Sequence, residues 1–567
     1  MHDYVILGGG SSGCVLAARL SEDPRNSVLL IEAGKDVTAE TAPADVLASY
    51  PGRAYFNPDF TWPGLNALLG GTSQNDPGSR KQARYEQARI LGGGSSINGL
   101  IAVRGAPSDY DGWEEQGATG WNFASVLPYF RKLERDLDFD GPYHGKDGPI
   151  TIKRYPPEQW TGFVAGVAKA LEKRGLPLVR DQNGAWQDGM MPVPTSIDEN
   201  DRRVSCAMAY LSADVRRRAN LTLRTETYVR RIRFEGTRAT AAEIAHADGS
   251  EIVQGRELIL TCGTIHSPAV LMRSGVGAPD ELGKHGIAVV KALPGVGRNL
   301  IEHPSVSISC YLARDGRLAN LDRHHTQAQV RFSSHVANCP PGDMCLALIA
   351  RSGWHAIGQR VGSLYFFVNK AYSQGSVTLK SANPIDEPLV DFRLLSDRRD
   401  LERLRNAFRF VAEVMAAGEL DGVRSKIFPT NYSDRVRKVS APGLRNAMQM
   451  HAFAAVLDTL PPLRSWLIDT LVTSGVTLKD VLADDATLDA YLNKAVAGVW
   501  HPVGTCRMGT DPLAVTTPRG RVHGVEGLRV CDASVMPSIP CANTNVSTIM
   551  VAERMADLIK SEPAGPT

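Results

Sequence analysis

The sequence predicts an α/β protein of two domains, one a parallel sheet wound with helices and the other an antiparallel sheet covered by helices. Three observations carry the prediction. The N-terminus reads as strand, glycine-rich turn, helix and strand: Tyr4-Val5-Ile6-Leu7 is apolar, Val15, Leu16, Ala18 and Leu20 recur at helical spacing, and Val28-Leu29-Leu30-Ile31 is apolar again. That order is a βαβ unit. From Val306 to Phe392 apolar and polar residues alternate, the period of a sheet. At 567 residues, 43% hydrophobic and 22% charged, the chain has globular proportions and is too long for one core.

The elements follow in order. Residues 36–90 are rich in Pro, Gly and Asn with weak periodicity, the composition of a long excursion over a surface or a bound group. A second glycine-rich block, Leu91 to Gly99, ends it. Residues 150–215 mix short strand-like and helical pieces, Leu221 to Ile232 reads as strand, and Glu257-Leu258-Ile259-Leu260, ending at Thr261-Cys262-Gly263, reads as a further strand of the first domain. Helical patterns dominate from Asp397 to Ala495; Leu528-Arg529-Val530-Cys531 reads as a buried strand and Thr548 to Lys560 as a closing amphipathic helix. The chain therefore weaves. Residues 1–150, 216–310 and 496–567 are assigned to a discontinuous first domain, and 151–215 and 311–495 to the second.

Gly8-Gly9-Gly10-Ser11-Ser12-Gly13 fits GxGxxG directly after a strand and opens a helix, with Glu32 at the end of the next strand. Each glycine has a reason: Gly8 allows the tight turn, Gly10 lets backbone approach a pyrophosphate, and Gly13 lets helix and strand pack closely. The helix N-terminus adds free N–H groups, Ser12 among them, and a dipole favouring the anion. Glu32 is placed to accept from a ribose hydroxyl, which argues against NADP, whose 2′-phosphate it would repel. FAD and NAD both remain open on the turn alone.

Composition narrows the partners. Sixty-three basic and 61 acidic residues give a formal charge of +2, with no basic run to attract nucleic acid. The nine cysteines are odd in number and scattered, without a CxxC pair or a zinc-like cluster, so they are expected to be reduced thiols and no metal site is expected. No charged-then-apolar leader precedes the first strand, and apolar runs fall short of the roughly 20 residues of a membrane span. The expectation is a cytoplasmic protein without membrane or nucleic-acid partner, its oligomeric state left open.

Longer motifs carry a resemblance. Ala88-Arg89-Ile90-Leu91-Gly92-Gly93-Gly94-Ser95-Ser96-Ile97-Asn98, continuing to Ala102, Gly105 and Asp111, resembles the first signature of the glucose-methanol-choline (GMC) oxidoreductases. Gly263-Thr264-Ile265-His266-Ser267-Pro268-Ala269-Val270-Leu271, ending Ser274-Gly275-Val276-Gly277, resembles the second. Further blocks agree: Gly295 to Leu300, Gly375-Ser376-Val377, His501 to Gly509, and Asp532-Ala533-Ser534 through Asn545. The resemblance spans essentially the whole chain and implies FAD rather than NAD, hence a Rossmann-like FAD-binding first domain and a substrate-binding second domain. Small residues from Gly92 to Ser96 would let backbone N–H groups approach the pyrophosphate and flavin ring. The resemblance also implies that Ala33, Arg89, Gly93, Asn98, Gly99, Val229, Asp532, Ala533, Asn543 and Asn545 lie at the cofactor. In some members a His just before the Asn98 position is joined covalently to flavin; here that position is Ile97, so non-covalent FAD is expected.

Oxidation of an alcohol needs a base for the hydroxyl proton while hydride leaves carbon, and imidazole suits that task near neutrality. His501, in Val499-Trp500-His501-Pro502, resembles the family's active-site histidine, and Asn545, in Asn543-Thr544-Asn545-Val546, resembles the second active-site position. Asn545 would then donate to the substrate oxygen. His303 is expected to be structural or near the cofactor, and His324 and His325 to be surface polar residues. The run Asp109 to Trp113, the segment Phe367 to Lys370 and the Val-Trp-His triplet are most similar to members oxidising aryl and furanic alcohols. Trp500, with Tyr365, Phe366 or Phe367, would form a flat apolar slot. The implied reaction is oxidation of a primary aromatic, furanic or allylic alcohol to the aldehyde, and onward through the hydrated aldehyde, with dioxygen as acceptor. A dehydrogenase passing electrons to a quinone from aliphatic or polyethylene-glycol-like alcohols, and non-redox lyase or photodecarboxylase chemistry on the same fold, remain alternatives.

Overall fold

The computed structural model describes residues 1–70, 82–430, 438–439, 443–473 and 475–562. His2–Leu7 lies at the centre of a seven-stranded sheet, between Val28–Ile31 and Gly249–Leu260, all parallel. Leu221–Arg224 extends it in parallel beyond Val28–Ile31, and Leu528–Val530 pairs in parallel with the far end of Gly249–Leu260. Arg238–His246 and Tyr228–Glu235 then fold back as an antiparallel meander. The segment expected as one strand, Leu221 to Ile232, is thus two strands on opposite edges of one sheet. The break falls at Thr225 to Thr227, where Glu226 takes a left-handed φ of 52°.

Val5, Ile6, Leu7, Leu258, Ile259 and Leu260 have essentially no exposure, because helices cover the sheet. Ser11–Leu20 packs against the C-terminal helix Thr544–Lys560, which begins four residues before the expected Thr548. The contact is pinned by the buried carboxylate of Glu553, which accepts from Arg19 Nη2 at 2.7 Å and from the Tyr210 hydroxyl at 2.8 Å.

The second sheet is antiparallel throughout, in the order Arg424–Pro429, Ser305–Leu312, Val361–Val368, Met344–Ile349, Thr326–Phe332 and Gly189–Pro192. Ser305–Leu312 belongs wholly to it and so crosses the boundary drawn at 310. The helix Arg398–Ala416 covers one face, with Phe408 edge-on to Phe366 at 6.0 Å. Phe366 is therefore core, and Phe367, its neighbour, points to the opposite face. A third sheet joins the two halves: Asn66–Gly70, from the Pro/Gly-rich excursion, pairs with Leu389–Leu394. The nine cysteines are all free thiols, seven of them buried.

The glycine turn sets how closely the first helix approaches the sheet. A Cβ on Gly13 would sit 1.9 Å from the Gly8 carbonyl oxygen, whereas a Cβ on Gly94 would meet nothing within 4 Å. Gly13→Ala is expected to lower stability by about 1–3 kcal/mol, the usual cost of overpacking, in urea unfolding of the apoprotein; Gly94→Ala in the same assay is expected to match the parent.

Candidate active site

One cavity of about 1190 Å³ runs from the glycine turn to the antiparallel sheet. At the turn, Gly8, Gly10, Ser11, Ser12, Glu32 and Ala33 line it. The Glu32 carboxylate accepts from the backbone N–H of Gly9 at 2.8 Å and of Gly34 at 2.7 Å, and burial raises its pKa to about 7. Ser12 Oγ is buried without a partner at the start of the helix. A Cβ on Gly10 would find its nearest neighbour only at 3.8 Å, and Gly94 and Gly99 look onto open space. The second glycine block docks on the first through the Gly92 N–H, which donates to the Gly9 carbonyl at 2.7 Å.

Arg89, Gly93, Asn98, Gly99, Val229, Asp532, Ala533, Asn543 and Asn545 also line the cavity. Gly13, Gly92 and Ser95 do not. Gly13 and Gly92 pack behind the wall, and Ser95 is turned inward, its hydroxyl donating to the Gly92 carbonyl at 2.6 Å and accepting from Cys206 N–H at 2.9 Å. Its expected cofactor contact is thus corrected to a brace for the loop, because a hydroxyl three residues along a turn reaches its own backbone. Asp532 is both wall and cap: its carboxylate accepts from Gly263 N–H, Ser267 Oγ and Ser534 N–H.

His501 is buried at the far end of this stretch, where it lines the cavity. It follows Trp500, whose φ of 60° is left-handed, a conformation a bulky residue adopts only when its surroundings hold it there. The hold comes from Glu302, a residue not picked out from the sequence. Its buried carboxylate accepts from His501 N–H at 2.8 Å, from His303 N–H at 2.8 Å and from the Tyr85 hydroxyl. Burial raises Glu302 to about 7, and burial drives His501 down to about 3.

The two imidazoles meet, His303 Nδ1 to His501 Nδ1 at 3.0 Å, and His303 Nε2 lies 3.2 Å from the Pro540 carbonyl oxygen. A carbonyl only accepts, so His303 carries its proton on Nε2 and accepts at Nδ1. His501 must then donate from Nδ1 and leave Nε2 as a lone pair. Asn543 Nδ2, a donor, stands 3.0 Å from that nitrogen. Glu302, His303 and His501 could converge on a cation, but their polar atoms are already engaged in this chain of hydrogen bonds.

Asn545, expected at the second active-site position, does not face His501; the asparagine beside that imidazole is Asn543. Asn545 Oδ1 accepts instead from Ser11 Oγ at 2.8 Å, tying the C-terminal helix to the glycine turn. Residues two apart on a first helical turn point to opposite sides, so only one of the pair can face His501. The flat aromatic slot is also rearranged. Phe367 is buried and stacks on His303 at 5.3 Å, Tyr365 bonds Ser305 Oγ at 2.7 Å, and Trp500 stands at the rim, 40% exposed, with Nε1 3.2 Å from Glu86. His324 is not a surface residue: it is fully buried, its ring nitrogens 2.8 Å from the carbonyls of Gly99 and Thr326, and His325 lines the cavity. Nothing in a His-His pair signals that burial.

Models of the N- and C-terminal parts of GMC oxidoreductases match residues 2–305 and 371–552. The chain belongs to the GMC oxidoreductase family. It is 40% identical to the 5-(hydroxymethyl)furfural oxidase of Methylovorus sp. across 99% of both chains, and 32% identical to human mitochondrial choline dehydrogenase across 99% of this chain and 90% of that one. Pyridoxine 4-oxidase from Mesorbium loti superposes with a TM-score of 0.83 at 26% identity, covering both chains fully. A fungal aryl-alcohol oxidase has the same fold, with a TM-score of 0.76 at 23% identity over 98% of each chain.

GMC oxidoreductases bind FAD, and FAD is the cofactor of this one. The residues fit it: an unpartnered buried Ser12 hydroxyl at a helix N-terminus, glycines that would otherwise project Cβ into the cavity, and an acceptor at Glu32. No helix among the described residues is long and apolar enough to cross a membrane.

Burial lowers the pKa of His303, His324 and His325, takes His355 to about 4 and His501 to about 3. Below about pH 6.5 the unfolded chain binds protons that these folded imidazoles refuse, so stability present above that pH is lost as it falls. Glu32 and Glu302, raised to about 7, act in the opposite sense between about pH 7 and 4.5, and Asp400, Asp489 and Asp532, also raised by burial, do so at the acid end; the sum is set by His303, His325 and His501, whose values fall furthest. The melting temperature of the apoprotein is expected to drop steadily from pH 6.5 to 4.5; a melting temperature that holds or rises over that range would contradict neutral burial.

Proposed function

We propose that this GMC oxidoreductase oxidises primary alcohols with an aromatic, furanic or allylic carbinol to aldehydes, and onward through hydrated aldehydes, with dioxygen as the electron acceptor. The observation that carries the reading is the 3.0 Å approach of Asn543 Nδ2 to a His501 Nε2 left as a lone pair. The relative named 5-(hydroxymethyl)furfural oxidase supports the substrate class and the acceptor.

A hydroxyl set between the two side chains donates its proton to His501 Nε2 and accepts from Asn543 Nδ2. His501 is the base because it is neutral and its lone pair faces the cavity. As the proton leaves, charge grows on the carbinol oxygen, and the Asn543 N–H, turned from His501 Nε2 to that oxygen, stabilises it. The imidazolium that forms keeps its Nδ1 proton shared with His303, whose ring Phe367 holds from behind. FAD, when bound, supplies the two-electron acceptor for the hydride that leaves the carbinol carbon. Ile97, apolar and buried at 4% exposure, offers no atom for a covalent bond to the cofactor, which supports non-covalent binding. Nine free thiols support a cytoplasmic location.

Anaerobic mixing with 4-methoxybenzyl alcohol is expected to bleach the flavin, and readmitted air to give hydrogen peroxide at the turnover rate; slow reoxidation would instead indicate a dehydrogenase. His501→Ala is expected to slow flavin reduction by about 10²–10⁴-fold with FAD retained, and Asn543→Ala by about 10²–10³-fold. Asn545→Ala, at the helix-to-turn contact, is expected to stay within about tenfold of the parent. The reverse ranking of the two asparagines would return the role to Asn545. His303→Asn keeps an acceptor near the Nδ1 position and is expected to preserve most of the rate, whereas His303→Leu frees the His501 tautomer and is expected to lower it by tenfold or more.

A further inference from the structure

The cavity does not end at His501. Its volume of about 1190 Å³ includes the stretch that holds the cofactor, and a second arm leads from the catalytic pair along the antiparallel sheet. Its floor can be read from the strand register. On Val361–Val368 the lining residues are Phe367, Tyr365, Ser363 and Val361, every second position, so they share one face. Ser309 pairs with Ser363 and Tyr311 with Val361 on the next strand, and both line the same arm. The six residue-to-residue steps of strand from Phe367 to Val361 span roughly 20 Å.

Polarity changes along that path. In the middle, the hydroxyls of Ser309, Ser352, Ser363 and Thr430 bond one another at 2.5–2.7 Å, so they do not call for a polar ligand. At the far end the walls are apolar: Phe428 from the sheet, Phe453 and Leu457 from the helix Leu444–Thr459, Ile468 and Leu471 from Pro461–Leu471, and Val472 just after it. The Tyr311 hydroxyl there donates to Asp458 at 2.6 Å. Tyr311, Phe428, Leu457 and Ile468 form a hydrophobic cluster separate from the main core.

We propose that this arm takes the apolar tail of the substrate, so that the alcohol presented to His501 and Asn543 is carried on a hydrocarbon chain several carbons long. The inference rests on the alcohol-oxidising reading of the catalytic pair. A site for a small furan alone would need no apolar chamber roughly 20 Å away, and a polyether tail would bring its oxygens against the side chains of Phe428, Phe453, Leu457, Ile468, Leu471 and Val472, which offer no donor.

The test uses the holoenzyme and a series of straight-chain allylic alcohols, the 2-alken-1-ols from three to ten carbons. Each methylene buried is worth about 0.8 kcal/mol, about a fourfold gain, so kcat/KM is expected to climb by about that factor per carbon until the arm is filled. Glycol ethers of matched length are expected to show no climb. Val361→Trp and Val472→Trp fill the arm from opposite walls; either is expected to abolish the gain for the longer alcohols while leaving benzyl alcohol oxidation unchanged. A kcat/KM flat in chain length, or a climb that survives both substitutions, would overturn the proposal. Calorimetric binding of decanamide against propanamide, neither oxidised by this chemistry, separates the two readings. Decanamide tighter by a hundredfold or more, with no alcohol oxidised, would leave the arm standing and remove the reaction; equal affinities would remove the arm whatever the turnover.

Discussion

The site depends on one buried carboxylate. Glu302, with 1% of its surface exposed, joins three stretches of chain far apart in sequence: the hydroxyl of Tyr85, the N–H of His303 and the N–H of His501. Burying a carboxyl is costly, and the upward pull on its pKa to about 7 is the record of that cost. What offsets it is a set of charge-assisted hydrogen bonds that fix the backbone on both sides of the imidazole pair. The left-handed turn at Trp500 survives only because its neighbour is clamped in this way.

From that clamp the proton inventory follows without further choice. The Pro540 carbonyl assigns the His303 tautomer, His303 assigns that of His501, and the donor of Asn543 agrees with the lone pair that results. A base in a desolvated pocket is neutral because water that would stabilise its cation has been removed, so the cation formed in the reaction must be stabilised by the partners that remain, hydrogen-bond groups of fixed direction. His303 thus belongs to the chemistry through His501, although it faces a carbonyl and a phenylalanine ring rather than the open cavity.

Much of this was legible in the sequence, and the exceptions share a cause. The βαβ unit, the paired glycine blocks and His501 are local patterns whose physics is complete within a few residues, so Gly8, Gly10 and Glu32 lie where spacing puts them. Glu302 carries no local signature, since an acidic residue beside His-Pro reads as a turn, and its partners lie about 200 residues away on either side. Asn543 and Asn545 differ only in which side of a helix start they face, which depends on where the cap falls. His324 reads as polar surface until the Gly99 and Thr326 carbonyls are seen at its two nitrogens.

The alternation in Ser305-Val306-Ser307-Ile308-Ser309-Cys310-Tyr311-Leu312 makes the same point about sheets. Polar residues at every second position ordinarily mark a face turned to water, yet all eight residues are buried. Val306, Ile308 and Cys310 take the face toward the helix Arg398–Ala416, where larger side chains fill the core. The serines face the other way, and because they are short they leave the floor recessed; a row of leucines there would close the space by packing into it. Two of the three hydroxyls are satisfied across the strands, Ser309 with Ser363 and Ser305 with Tyr365, while Ser307 Oγ is buried without a partner. Period-two patterning therefore separates the two faces of this sheet correctly, but the second face borders an internal cavity. The depth of that cavity comes from residue size as much as from residue polarity.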